Sequence, residues 1–585
     1  MPLAIIGDMK SPLPVLVLCF TVACCSVSRA QSPRLDKEAQ DWVTSIFDKM
    51  TLDEKIGQLI IGGTNSDFTN VKSDKFQQIR SDITRYHVGG YHAFGGELLS
   101  AAFLIRRMQE LASVPLLITA DMEGGTGLIF RGGTRFPRAM ALGATFDPEN
   151  ARRVGRMTAM EARSIGVHVN FYPVVDVNNN PLNPIINIRS FGEDPQRVSD
   201  MAVAYVEGFQ ETGLIATAKH FPGHGDTSRD SHLQLPVIPV SRERLDQVEL
   251  LPFQKVIQAG VRAVMTAHLV IPALEPQPNL PATLSRRIST GLLKEEMGFE
   301  GLIVTDAMNM GGLRHHYGDA EAAVLAFSAG ADLILFPLSI GKAFRGLRDA
   351  VRQGRISADR LNLSVQRILQ VKASLGLHQG PRSYLSAIDQ QVGAPEQLKS
   401  SQRIMDRAIT LVRDEKDVLP FTLGPKAKVL LVTVLDERRP RESRGAAFAA
   451  EFLIRHRQTE HVEVLPDVSE EKIESIRKLA EDADFVVVGI YIRTAANKGE
   501  FGLSPNEMTL LEIVSRNPKP AALVVFGSPY LLSLISHLPT YIVAYDDHKG
   551  AELAAVKSIL GEISFRGKLP VSLPDLYPVG HGITR

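Results

Sequence analysis

Between about residues 55 and 340 one arrangement of apolar and polar positions keeps returning. A short run rich in β-branched or aromatic residues leads into a polar or glycine-rich corner, and apolar positions at helical spacing follow. The runs are IGQLIIGG (56–63), VGGYHAFG (88–95), PLLITADMEGG (115–125), HVNFYPVVDVN (168–178), GLIATAKHFPGHG (213–225), AVMTAHLVIPA (263–273), GLIVTDAMNM (301–310) and ADLILFPL (331–338). Runs that are apolar throughout predict parallel strands covered on both faces. This many in succession predict an α/β chain that closes a (β/α)8 barrel of the TIM type, over residues 36–376. Between the runs, DPENARRVGRMTAMEARSIG (147–166) predicts a helix stopped at Gly166. RRISTGLLKEEMGFEG (286–301) predicts another, with Gly298 and Gly301 as caps.

The texture changes after Gly376. Residues 377–425 read as a linker with a connecting helix, LKSSQRIMDRAITLVRD (398–414). From 426 to 580 the runs AKVLLVTVLD, HVEVLP, ADFVVVGIY, AALVVFGSP and TYIVAYDD predict an α/β sandwich domain around a mainly parallel sheet. That region has no GxGxxG and no GxxxxGK[ST] loop, so it carries no nucleotide-binding signature.

Composition then narrows the function classes. The 585 residues hold Lys+Arg and Asp+Glu at 65 each, and the resulting zero net charge gives no general attraction to nucleic acid or an anionic membrane. All three cysteines, Cys19, Cys24 and Cys25, lie in PVLVLCFTVACCSVSRAQ. This apolar stretch follows Lys10 and ends in Ser28-Arg29-Ala30, which predicts a signal peptide over 1–30 cut after Ala30. A lipoprotein cut before Cys24 and an uncleaved anchor are the alternatives. The protein is therefore expected to be exported, periplasmic or secreted. Cleavage after Ala30 leaves no thiol, hence no disulfide, zinc-thiolate site or cysteine nucleophile. No other segment is long and apolar enough to span a bilayer.

Polar residues gather at the ends of the runs: Asp121, Asp176, His220, His268 and Asp306. In a barrel these are the C-terminal strand ends, where sites are built. Asp306 in GLIVTDAMNM has three readings there: a helix cap, a metal ligand or a nucleophile. In KHFPGHGDTSRDSH (219–232), side chains two apart in an extended segment point the same way. Asp230 can thus set the tautomer of His232 and make it a general acid near neutral pH; the alternative is a surface turn. Lys219 and His220 either donate to hydroxyls or a carbonyl of a ligand or form a satisfied buried pair. Asp121 and Glu123 precede Gly124-Gly125, which let a ligand approach the backbone. Arg189 offers a fork of donors to vicinal hydroxyls or a carboxylate, or a salt bridge to Glu193 or Asp194. His220, His224 and His232 have no HExxH pattern, and Asp226 and Asp230 leave a divalent-metal hydrolase site as an alternative.

Taken jointly, KHFPGHGDTSRDSH, DMEGG, FYPVVDVNNNPLNPIINIRSFGEDP, AVMTAHLVIPA, GLIVTDAMNM and the C-terminal GEISFRGKLPVSLPD (561–575) resemble glycoside hydrolase family 3. Within it the likeness is to the bacterial beta-N-acetylhexosaminidase branch, and it covers roughly 40 to 575. The resemblance implies a double-displacement glycosidase without cofactor or metal. It implies Asp306 as nucleophile and His232 as general acid/base with Asp230 as its partner. Asp121, Arg189, Lys219 and His220 match residues that grip the terminal sugar, and Asp176 and His268 lie near them. Its substrate is then a small β-linked N-acetylglucosaminide from cell wall or chitin. A beta-glucosidase, a phosphorylase of the same family and a non-catalytic carbohydrate-binding protein are the alternatives. One departure stands out: several relatives follow the glycines of DMEGG with a basic residue, and here none comes before Arg131.

Overall fold

The computed structural model describes residues 35–380, 385–436, 444–492, 503–535 and 538–585. The leader lies outside the described residues. Each of the eight apolar runs contributes one strand: β1 (Ile60–Thr64), β2 (Gly90–Ala93), β3 (Leu117–Ala120), β4 (Val169–Asn170), β5 (Ile215–Phe221), β6 (Ala263–Thr266), β7 (Leu302–Thr305) and β8 (Ile334–Leu335). They pair in parallel and in sequence, and β8 returns to β1 through Ile60–Ile334 and Ile61–Leu335. Closure comes from a parallel bridge between Val304 and Leu333. The strand residues are buried because helices cover the outside while side chains fill the inside, which is why the runs are apolar throughout.

Local signals explain the covering helices. Pro148–Ser164 begins with Asp147 accepting the Glu149 N–H and with proline in the first turn, and it ends just before Gly166 at φ +83°. The segment expected as a helix over 286–301 is helical from Arg287 to Glu296, with π-type hydrogen bonding.

The second domain holds a six-stranded sheet. Its strands are β9 (Thr410–Asp414), β10 (Val429–Leu435), β11 (Thr459–Val464), β12 (Phe485–Tyr491), β13 (Ala521–Val525) and β14 (Thr540–Val543), in the order β9-β14-β13-β12-β10-β11. All pairs are parallel except β9 with β14. This corrects the expected linker at 377–425 and its long helix. The helix stops at Ala408, and Thr410–Asp414 pairs antiparallel with Thr540–Val543. Ile409-Thr410-Leu411-Val412 is β-branched at Ile409, Thr410 and Val412, and no glycine or proline separates it from the helix, so periodicity alone carries the helix through it. The core of this domain also takes in Met140, Ala141, Ala144 and Ile188 from the barrel chain, so the two units share packed side chains. Among the described residues no helix is long and apolar enough to cross a membrane.

Candidate active site

The candidate residues converge at the C-terminal mouth of the barrel. Lys219 and His220 lie in β5 where its register against β6 slips by one residue, between Ala218–Val264 and Phe221–Thr266. Neighbouring side chains of a regular strand point to opposite faces, and a bulge can re-aim one of them. Here both turn into the same polar cluster. Lys219 Nζ lies 2.6 Å from Asp121 Oδ1 and 2.9 Å from Glu123 Oε1. His220 Nδ1 lies 2.7 Å from Asp176 Oδ2, while Asp176 Oδ1 accepts the backbone N–H groups of His220 and His224 at 3.1 and 2.7 Å.

Arg189 does not pair with Glu193 or Asp194. Its guanidinium forks onto Glu123, Nε to Oε2 at 2.9 Å and Nη2 to Oε1 at 2.8 Å. The short-range ion pair loses because Glu193 is engaged by Ser572 and Asp194 caps the helix Pro195–Gln210. Arg189 Nη2 also comes within 3.4 Å of His220 Nε2. The cluster thus alternates in charge: Asp121, Lys219, Glu123, Arg189. Burial pushes both carboxyls up, but Lys219 with His92 for Asp121, and Arg189 with Lys219 for Glu123, pull them far below the usual range. Burial likewise opposes the Lys219 charge, and Asp121 and Glu123 more than restore it. The Asp121 side chain is 38 % exposed while Lys219 beneath it is 3 % exposed. A fixed anion therefore faces the lumen, able to accept hydrogen bonds from hydroxyls.

His92 belongs to this wall and was missed by the sequence reading. Its Nε2 is 3.4 Å from Asp121 Oδ2, its Nδ1 is 2.9 Å from Thr119 Oγ1, and its ring stacks on Phe171. The signal that found His220, a polar residue in a buried run, was present in VGGYHAFG as well.

Asp306 follows β7 directly. Its backbone N–H donates to the Thr266 carbonyl at 2.9 Å, and its Oδ1 accepts the Ala307 N–H at 2.7 Å. Burial raises this carboxyl, but His220, His268, the Ala307 N–H and His232 outweigh it and keep it below its ordinary value. His268 Nε2 sits 3.1 Å from the Ala307 carbonyl, which holds the imidazole against the chain next to Asp306. Burial pushes His268 down, toward the neutral ring.

The loop after β5 carries the last pair. Asp230 Oδ1 accepts the His232 N–H at 2.8 Å and lies 2.9 Å from His232 Nδ1. Nε2 is left as the nitrogen for acid–base work, on a side chain 29 % exposed. Ser231 Oγ lies 2.9 Å from the buried His224 Nε2; burial and the nearby His220 push His224 down to about 4. The mouth therefore offers an ionised carboxylate, an oriented imidazole and an array of fixed charges. A cavity of about 970 Å³ on the barrel flank, lined by Glu275, Arg287 and Leu325 among others, contains none of these groups.

Residues 51–371 match the Glycosyl hydrolase family 3 N terminal domain. The chain is 31% identical over 555 residues, 92% of it and 96% of the relative, to a beta-N-acetylglucosaminidase/beta-glucosidase of Cellulomonas fimi. Among solved structures it superposes on a family 3 beta-N-acetylglucosaminidase from Paenibacillus sp. str. FPU-7. There the TM-score is 0.80 and the identity 36%, covering 90% of this chain and 99% of that one. A beta-glucoside phosphorylase superposes with a TM-score of 0.83 at 27% identity, covering 93% and 99%. The family match and these relatives place the barrel and its charged mouth in a glycoside hydrolase. The chain belongs to glycosyl hydrolase family 3.

Proposed function

We propose that the enzyme is a retaining, exo-acting beta-N-acetylhexosaminidase that releases terminal N-acetylglucosamine from β-linked oligosaccharides of cell-wall or chitin origin. The observation that carries this reading is the Asp230–His232 pair on a loop that is seated against the chain just past Asp306, where the Gly311 N–H donates to the His232 carbonyl at 3.0 Å. The relatives named for N-acetylglucosaminidase activity support the choice of sugar.

In this reading Asp306 attacks C1 while His232 Nε2 protonates the departing oxygen, giving a covalent glycosyl-enzyme of inverted configuration. Neutral His232 then takes a proton from water, which attacks C1 and releases Asp306, so configuration is retained. The pairing of a carboxylate with a histidine replaces the usual two carboxylates. Asp230 holds Nδ1 and steadies the imidazolium, as an orienting carboxylate does. Asp121, Lys219, Arg189 and His220 grip the terminal sugar's hydroxyls. The leader read at the N-terminus makes this an exported activity, checked by locating the protein in cell fractions.

A histidine acid lacks the negative charge that would repel an incoming phosphate, and this favours phosphorolysis as the second reading. One experiment separates the two: nitrophenyl N-acetylglucosaminide and glucoside are offered with and without phosphate, and product anomers are read by NMR. Release of β-N-acetylglucosamine, unaffected by phosphate, is the expected result. Preference for the glucoside, an α-anomer as first product, or a sugar phosphate would overturn the primary reading.

A further inference from the structure

We propose that the second domain is a positioning element for the Glu123–Arg189 pair. Its residues Asp546, Tyr530 and Ser572 hold the two loops that bring this pair together. The inference rests on the reading of that pair as part of the sugar-gripping wall.

Glu123 and Arg189 come from different barrel loops, and each loop is fastened to the second domain. Downstream of Glu123, the Arg138 backbone N–H donates to Asp546 Oδ2 at 2.9 Å and Arg135 Nη2 reaches Asp546 Oδ1 at 3.3 Å. Asp546 is fully buried beyond the end of β14, where it stays ionised because His548, Arg135 and Arg138 outweigh its burial. On the Arg189 loop, Asn178 Nδ2 donates to Tyr530 Oη at 2.8 Å. The Glu193 carboxylate accepts the Ser572 N–H at 2.7 Å and the Ser572 hydroxyl at 2.5 Å, and the Glu193 N–H donates to the Pro570 carbonyl at 3.1 Å. Next to it, a Cβ on Gly192 would lie 2.5 Å from the Pro570 carbonyl oxygen, so the two backbones are in close contact.

The side chain adjacent to Arg189 takes part as well. Ile188 is buried in the second domain's hydrophobic core with Met140, Ala141 and Ala144. The Arg189 loop is thus held between domains; on the barrel side Asn183 Nδ2 donates to the His224 and Gly225 carbonyls at 2.9 and 2.8 Å. A bidentate ion pair needs both planes aligned, so a small shift of either loop opens it. The second domain supports the wall from behind, and its three anchors act through Glu123 and Arg189.

The test compares the full-length enzyme with Tyr530→Phe, Ser572→Ala and their double variant, and with Val432→Ala as a control. Val432 is buried in β10 of the second domain, so its truncation destabilises that domain without touching either loop. KM and kcat are measured on whichever nitrophenyl glycoside the wild type cleaves, and Tm by calorimetry. The double variant is expected to raise KM about five- to tenfold with kcat within about threefold, the loss of roughly two hydrogen bonds' positioning. Val432→Ala is expected to lower Tm with KM unchanged. A double variant that loses Tm but keeps the wild-type KM would overturn the proposal, as would a control that raises KM equally. The wild-type glycoside preference tests the function reading by itself, while the variant-to-wild-type ratio tests the anchors. Tyr530→Phe alone preserves shape, so the ratio remains measurable should the double variant fail to fold.

Discussion

The Gly311 backbone N–H donates to the His232 carbonyl at 3.0 Å, joining the chain just past Asp306 to the loop that bears the imidazole. A Cβ on Gly311 would sit 2.5 Å from that carbonyl oxygen. On Gly312 it would sit 2.6 Å from the Ser231 oxygen and 2.7 Å from that of Gln234. The two glycines thus form the seat on which the loop rests, and the seat is backbone on both sides. The Asp306 segment and the His232 loop are positioned against each other here, although they lie more than seventy residues apart.

Gly312→Ala is therefore expected to lift the loop and displace His232 while leaving Asp306 on its strand. A displacement of about 1 Å costs about 10²-fold where geometry governs the step. On substrates with poor leaving groups kcat/KM should fall by about that factor, and on dinitrophenyl glycosides by much less. A uniform loss across leaving groups would mean that the seat does not serve the acid.

Removing the imidazole altogether makes a sharper case. His232→Ala should slow both chemical steps by about 10²- to 10⁴-fold, the range for general acid–base catalysis. Very good leaving groups need no proton, so their first step should be largely spared and a glycosyl-enzyme should accumulate. Mass spectrometry of the quenched enzyme with a 2-fluoro sugar should find the adduct on Asp306. Equal impairment of good and poor leaving groups, or labelling of another residue, would sink these assignments.

The third prediction concerns pH. Burial raises the Asp306 carboxyl, and His220 is the foremost charge pulling it down. His220→Gln removes that charge, so the carboxyl should rise and need a higher pH to ionise. The acidic limb of kcat/KM, which follows the free enzyme's nucleophile, should move to higher pH, besides the loss of a sugar contact. The profile is best measured on a good leaving group, where protonation of the departing oxygen matters least. An unmoved limb would show that His220 does not tune Asp306.

How much of this was legible in the chain follows from the range of the interactions. The eight barrel strands were legible because buried parallel strands are apolar throughout and their polar ends mark the mouth: Asp121, His220, His268 and Asp306 all stand there. The fork of Arg189 onto Glu123 was not, since it spans 66 residues while Glu193 and Asp194 lie close in sequence. The bulge that turns both Lys219 and His220 inward depends on pairing with β6, which no single-strand pattern encodes. β9 was hidden because an antiparallel strand continues straight from a helix. Tyr530, Ser572 and Asp546 carry no local sign of touching the barrel, for their partners are defined only once both domains have packed.

The last prediction lies away from the mouth, at Lys372. This side chain is fully buried, and Nζ donates to Gln58 Oε1 at 2.6 Å. Burial pushes the ammonium down to about 7, well under the ordinary lysine value of about 10.4. Below pH 7 it is charged in both the folded and unfolded states, and the folded protein bears the desolvation. Between about 7 and 10 the unfolded chain still binds the proton and the folded one does not, so stability from this group rises with pH. Lys372→Met keeps the volume and removes the charge, at a cost of about 1–3 kcal/mol for leaving Gln58 Oε1 unpaired. Its Tm should exceed the wild type's at pH 6, and the advantage should shrink and reverse as pH approaches 10. Calorimetry across that range checks it: a Tm difference independent of pH would mean that Lys372 keeps its ordinary ionisation inside the fold.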